Sequence, residues 1–184
     1  MKTRLPSRRK MQGVAAVELG IIMIPLVALF AGLAEFGHAI YQYETLTKST
    51  RDAARYLSTY LPSDPAYPLA SAQCLAVYGS TTCPSSGGTP LVPGLTTSMV
   101  IVCDASHTTS CSDASDPASF SNVTTYDTNN DTVNAASQTG SINLVEVKIK
   151  GYPYTPIVLT LNMFYLSMAA PTFGNIATVM RQVS

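Results

Sequence analysis

The chain lacks the short patterns on which enzymes commonly place their chemistry. No G-x-S-x-G, no H-E-x-x-H and no phosphate-binding glycine loop occurs in its 184 residues. Ser7 and Lys10 satisfy S-x-x-K only formally, in a basic leader without companion motifs. The two histidines, His38 and His107, stand far apart. We therefore expect no enzyme, no cofactor and no small-molecule substrate. Basic residues are scarce after Gly13: six against eleven acidic ones, a formal −5. Such a body has no basic surface suited to phosphate, which speaks against nucleic acid as a partner. No internal repeat is visible.

Before Gly13 the balance reverses. Lys2, Arg4, Arg8, Arg9 and Lys10 occur there with no acid. A basic cluster ahead of an apolar run is a topology signal for the cytoplasmic side of a membrane. Leu19 to Ala34 are sixteen consecutive apolar or glycine positions. With Val14 to Val17 and Phe36 they are long enough to span a bilayer as a helix. A secretory signal peptide is the competing reading. The length of the run and the lack of a tidy A-x-A site argue that the span is retained.

No glycine or proline interrupts the chain between Gly37 and Pro62. Phe36, Ile40, Tyr43, Thr47, Thr50, Ala54, Leu57 and Leu61 recur at alternating steps of four and three, a helical stripe. Gln42, Glu44, Lys48, Arg51, Asp52 and Arg55 fall on the opposite face. Span and stripe join into one helix of about 46 residues, roughly 70 Å long. Pro25 should kink it. The stripe is expected to cover the protein's own sheet.

Pro62 stops the helical pattern. From there to about Thr97, Ser, Thr, Pro and Gly dominate, and the stretch reads as loop. The segment "TSMVIVC" (97–103) reads as a buried strand. Residues 104–142 are polar and read as a long exposed excursion. In "NLVEVKIKG", Val145, Val147 and Ile149 alternate with Glu146, Lys148 and Lys150, the clearest strand in the chain. "YPYTPIVLTLNMFYL" reads as an edge strand or loop entering a short buried segment. "NIATVMRQVS" can add a final strand. The fold class that follows is α+β: a long N-terminal helix packed on a small antiparallel sheet, loop-rich and disulfide-stapled.

Cys74, Cys83, Cys103 and Cys111 all follow the span. If the basic end stays inside, they lie outside, where disulfides persist. Three pairings are possible. Cys74–Cys83 and Cys103–Cys111 are favoured because each closes a short loop. Cys103, His107 and Cys111 could suggest zinc, but no fourth ligand is evident nearby. Asp127, Asn129 and Asp131 imitate the opening of a calcium loop, without its glycine at the sixth position or its glutamate at the twelfth, which is Gln138. No metal site is expected.

One combination of residues is more specific than any of these. A basic leader precedes Gly13, and "VAAVEL" follows with Glu18 at its fifth place. A proline lies in the span, then "EFG", "STRDAARYLSTYL" and later "VEVKIKGYPYTP". This combination resembles the TadE-like family, minor pilins or pseudopilins of tight-adherence (Flp-type) pilus systems, over about residues 8–61. The resemblance implies that a prepilin peptidase cuts between Gly13 and Val14. Glu18 then becomes the fifth residue of the mature chain. In the family an aromatic follows this carboxylate; here Leu19 does.

An ionisable group within a span costs roughly 2.5–3.5 kcal/mol, so Glu18 calls for a partner. In a filament it could pair with the new ammonium on a neighbour's Val14. An interfacial carboxylate solvated by headgroups is the alternative, and Glu35 is expected to be one. Gly13 lets a peptidase approach the backbone. Ala28 and Gly32 would let another apolar helix come near.

The organisation expected is a cytoplasmic leader at 1–13, a transmembrane helix at 14–37, its amphipathic extension at 38–61, and an extracytoplasmic head at 62–184. The place is a bacterial cell membrane, crossed once, or a pilus at the cell surface. Partners are the prepilin peptidase, other pilins or pseudopilins, and lipid. Rival readings are a single-span envelope protein that assists assembly without entering the fibre, and a tethered binding or adhesion module working through 104–142.

Overall fold

The computed structural model describes residues 8–85, 87–126, 138–157 and 171–183. Its elements are α1 (Arg8–Leu57), α2 (Leu69–Tyr78), β1 (Val100–Cys103), β2 (Val123–Tyr126), β3 (Gln138–Ile149) and β4 (Ile176–Gln182), with a 3-10 turn at Thr97–Met99 before β1. Helix plus antiparallel sheet makes the fold α+β. The chain divides into two units, Met1–Ile40 with Pro156–Ser167, and Tyr41–Thr155 with Met168–Ser184. The boundary falls inside α1, which continues through Pro25.

In the first unit, α1 presents its apolar side chains outward from Val14 to Leu33. The helix is long and apolar enough to cross a membrane. Water is a poor solvent for such a surface, and lipid is a good one. The Glu35 carboxylate accepts the Ile157 backbone N–H at 3.0 Å, so it has a protein partner rather than only an interfacial environment. The segment of "YPYTPIVLTLNMFYL" expected to be buried begins at residue 158 and lies outside the described residues through residue 166.

The second unit is built around β3, the longest strand. β1 and β4 both pair with it antiparallel: Val102 lies opposite Val147, and Val147 opposite Thr178. β2 pairs with the first part of β3, with a bulge between Thr125 and Tyr126. Alternation along paired strands fixes two faces. Val100, Val102, Val145, Val147, Ile149 and Ile176 form one face and join Leu46, Ala53, Ala54 and Leu57 of α1 in a single core. Thr50 and Thr178 hydroxyls meet at 3.0 Å between that helix and β4.

The helical period holds but its phase differs from the expected stripe. The buried positions are Gln42, Leu46, Ser49, Thr50, Ala53, Ala54 and Leu57, whereas Phe36, Ile40, Tyr43 and Leu61 are exposed. Gln42, placed by the sequence on the polar face, is buried 3.4 Å from the Tyr152 hydroxyl. Small and hydroxylated residues allow close approach to a sheet. Their polar atoms are satisfied locally, as where Ser49 Oγ donates to the Leu46 carbonyl.

One further expectation is corrected and another is refined. The stretch after Pro62 holds a second helix, α2, which buries Ala72, Cys74, Ala76 and Val77. Gly79 ends it at φ 70°, where its N–H reaches the Leu75 carbonyl. The polar stretch from 104 to 126 is largely exposed, as expected, yet it is anchored to the sheet: Asp104 and Phe120 are buried, and the Leu144 N–H donates to the Phe120 carbonyl. Asp127, Asn129 and Asp131 lie outside the described residues.

Candidate functional site

Among the described residues two places carry chemistry, one in each unit. The first is a stripe on α1. Gly13 and Val14 sit within the helix, and Glu18 follows Val14 at i+4, which puts both on one face. Continuing by three and four residues, Ile21, Pro25, Ala28 and Gly32 fall on that same face. All seven of these residues are exposed. The helix thus aligns a carboxylate, a proline and two small residues along one lipid-compatible line. Gly32 has open space where a side chain would stand, so another backbone can approach.

The second place is the outer face of the sheet. Register puts Cys103, Glu146, Lys148, Ala177 and Val179 on it together. The alternation of β3 puts Glu146 and Lys148 on the face opposite the core, yet both have 0% exposure. The cause is the segment after β1. A disulfide joins Cys103 to Cys111, with Cα atoms 5.9 Å apart, and turns the chain back over the strands. Lys148 Nζ then donates to Asp113 Oδ2 at 2.8 Å and Asp116 Oδ2 at 2.6 Å, while Lys150 Nζ reaches Asp113 Oδ1 at 2.9 Å. Asn175 Nδ2 adds a bond to Asp113 Oδ2.

These contacts set the charge states. Hydrogen bonds from Lys148 and Lys150 hold the Asp113 carboxyl down at about 2. Burial pushes the Glu146 carboxyl up to about 7, with Asp116 adding to the rise and Lys148 opposing it. Burial works against the Lys148 ammonium, but its bonds to Asp113 and Asp116 outweigh that and raise its pKa. Sequence reasoning missed this cluster, since no local pattern shows that Asp113 and Asp116 meet Lys148, 35 and 32 residues further on.

A second disulfide joins Cys74 of α2 to Cys83, with Cα atoms 5.0 Å apart. The cysteines weighed for zinc are therefore tied up as disulfides. His107 Nδ1 contacts Asp104 Oδ1 at 2.9 Å, and its ring stacks on Tyr67. That Tyr67 hydroxyl also accepts from Gln182 Nε2, so the histidine belongs to a packed polar cluster.

No curated protein and no solved structure matches the chain. A family model does: that of TadE-like protein, over residues 13–55, which begins at Gly13 and takes in Glu18, Pro25, Ala28 and Gly32. By that match, residues 13–55 are similar to TadE-like protein, and they coincide with most of the apolar helix long enough to cross a membrane.

Proposed function

We propose that the chain is a pseudopilin or minor pilin precursor of a tight-adherence type pilus, without enzymatic activity. It enters a bacterial membrane with residues 1–13 cytoplasmic and its head outside. A prepilin peptidase removes those thirteen residues after Gly13, and the helix then packs laterally against other pilins or pseudopilins. The single observation that carries this reading is the TadE-like match, which starts at Gly13 on a helix that aligns Glu18, Pro25, Ala28 and Gly32. An aligned face suits lateral packing, and small residues let the backbones come close. Pairing Glu18 with the ammonium of a neighbour's Val14 offsets the desolvation of both. Two disulfides in the head suit an oxidising compartment.

The experiment is the N-terminal residue of the protein in its native cells, by intact mass or Edman degradation. Val14 is the expected first residue, and Gly13→Trp should block the cut. Retention of Met1 would end the processing reading. A cut after Ala34 or Ala39 would replace it with a signal peptide. Purified fibres probed for this chain should contain it; fibres without it would make it an assembly factor in the membrane.

A further inference from the structure

Three carboxyls and two ammonium groups meet where residues 112–122 cross the outer face of the sheet. The segment is bounded by the disulfide at Cys111 and by β2 at Val123. Asp113 and Asp116 share Lys148, and Asp113 also takes Lys150. That leaves Glu146 and half of Asp116. Both Glu146 oxygens and Asp116 Oδ1 are buried without a hydrogen-bond partner. Carboxyl oxygens of the two residues lie within 4.8 Å of one another, beside the Cys103 sulfur.

A buried, unpaired carboxylate costs several kcal/mol, so something must neutralise it. With every group ionised, Asp113, Asp116 and Glu146 against Lys148 and Lys150 leave a formal −1. One proton brings the cluster to zero. A divalent cation would bring it to +1, beside an ammonium already 2.6 Å from Asp116. Calcium also wants six to eight oxygens and magnesium a near-ideal octahedron. Two side chains in a site closed to solvent supply too few, and the Cys103 sulfur is spent in a disulfide.

We propose that Glu146 is a protonated acid while residues 112–122 are seated, and that its ionisation releases this segment, making it a pH-operated latch on the outer face of the sheet. The groups that face Glu146 support this from every side. β3 supplies Lys148, whose ammonium is bonded to Asp113 and Asp116 of the latch and not to Glu146. β1 supplies Cys103, uncharged in its disulfide. β4 supplies Val179 directly opposite, with exposed Arg181 opposite Leu144, two residues back along β3. The only acceptor near Glu146 that lacks a donor, among the described residues, is Asp116 Oδ1. A proton on Glu146 turns that mutual repulsion into a hydrogen bond once the carboxyls rotate together.

The direction follows from linkage. The folded value is raised, from 4.5 to about 7. The seated state therefore holds the proton more tightly than the open one. Its advantage is complete below 4.5 and is lost as pH rises through 7. The opening equilibrium should shift on the order of 100-fold across that window.

The test uses the full chain in detergent micelles. Hydrogen exchange of peptides covering 112–122, corrected for the intrinsic pH dependence of exchange, should show protection falling on the order of 100-fold between pH 4.5 and pH 8. Glu146→Gln, which mimics the neutral acid, should stay protected throughout. Independently of any variant, the assigned side-chain carboxyl carbon of Glu146 in the native protein should titrate near neutrality by NMR. Protection that is flat with pH, a Glu146 carboxyl titrating at an ordinary carboxylate value, or an identical loss in Glu146→Gln would each overturn the latch. So would calcium or magnesium chloride restoring protection at pH 8 in the native chain but not in Glu146→Gln, which would make the cluster a cation site.

Discussion

Lys148 is a cation with no exposed surface, held by Asp113 and Asp116. Replacing it with Met keeps the stem and removes the charge, leaving the nearly inaccessible Asp116 carboxyl and the partly exposed Asp113 without it. Breaking such a pair from one side costs about 3–5 kcal/mol. Lys148→Met should therefore lower the denaturation midpoint of the head sharply. Lys150→Ala, at a half-exposed position, should cost under about 1 kcal/mol because water screens the pair. Equal effects would show that the two lysines stand in the same environment, against the burial described. Glu18 is the other decisive residue. Glu18→Gln keeps its shape and loses its charge, so the variant should insert and be cut yet join its partners poorly. Crosslinking to the other pilins, with the mature N-terminus checked in parallel, reads both steps. Normal processing with normal incorporation would leave Glu18 a bystander; failed processing alone would make it a peptidase determinant.

At the level of elements, periodicity was legible and phase was not. Thr50, Ala54 and Leu57 belong to both the expected and the observed stripe of α1, but the buried line runs back through Leu46 and Gln42 rather than Tyr43 and Ile40. Hydrophobicity points to the aromatic side of the helix, whereas the sheet takes the side whose small residues let it come close. For α2 the signal was present in its leucines and alanines, ended by Gly79, but Pro and Ser on either side masked it. The strand alternation of β3 assigned its faces correctly but not what lies over the outer one, because a covering segment leaves no trace in the strand it covers. That cover depends on the Cys103–Cys111 disulfide, which closes a short loop. Replacing both cysteines with serine should cost roughly 2–3 kcal/mol by loop entropy and loosen residues 104–122 before the rest of the head. Urea denaturation of the variant in micelles, together with its exchange pattern, checks both. Unchanged protection of 104–122 would show that the lysine contacts alone hold the segment.

For the whole molecule, the charged cluster gives stability a pH profile with two opposite slopes. Asp113 is depressed from 3.8 to about 2, so its contribution is present above 3.8 and lost as pH falls through 2. Glu146 works the other way between 4.5 and about 7. The thermal midpoint of the head should therefore peak in mildly acidic solution, near the interval between 3.8 and 4.5. Asp113→Asn should flatten the acid side and, because the Asp113 charge adds to the rise at Glu146, weaken the other slope without removing it. A midpoint that rises steadily from pH 4 to 8 would contradict this assignment.

The sequence by itself determined the features that are local or periodic. An unbroken apolar run makes a helix able to cross a membrane, alternating residues make β3, and the order of Gly13, Glu18 and Pro25 marks the TadE-like segment. These need only neighbours along one element, so spacing is enough to reveal them. Tertiary structure alone decided which side of α1 meets the sheet, and that Asp113 and Asp116 come to rest on Lys148. It also decided that Glu146 is left buried beside them. Those outcomes depend on chain segments meeting across tens of residues. The free energy of a charge there is set by what covers it, which no single stretch of sequence contains.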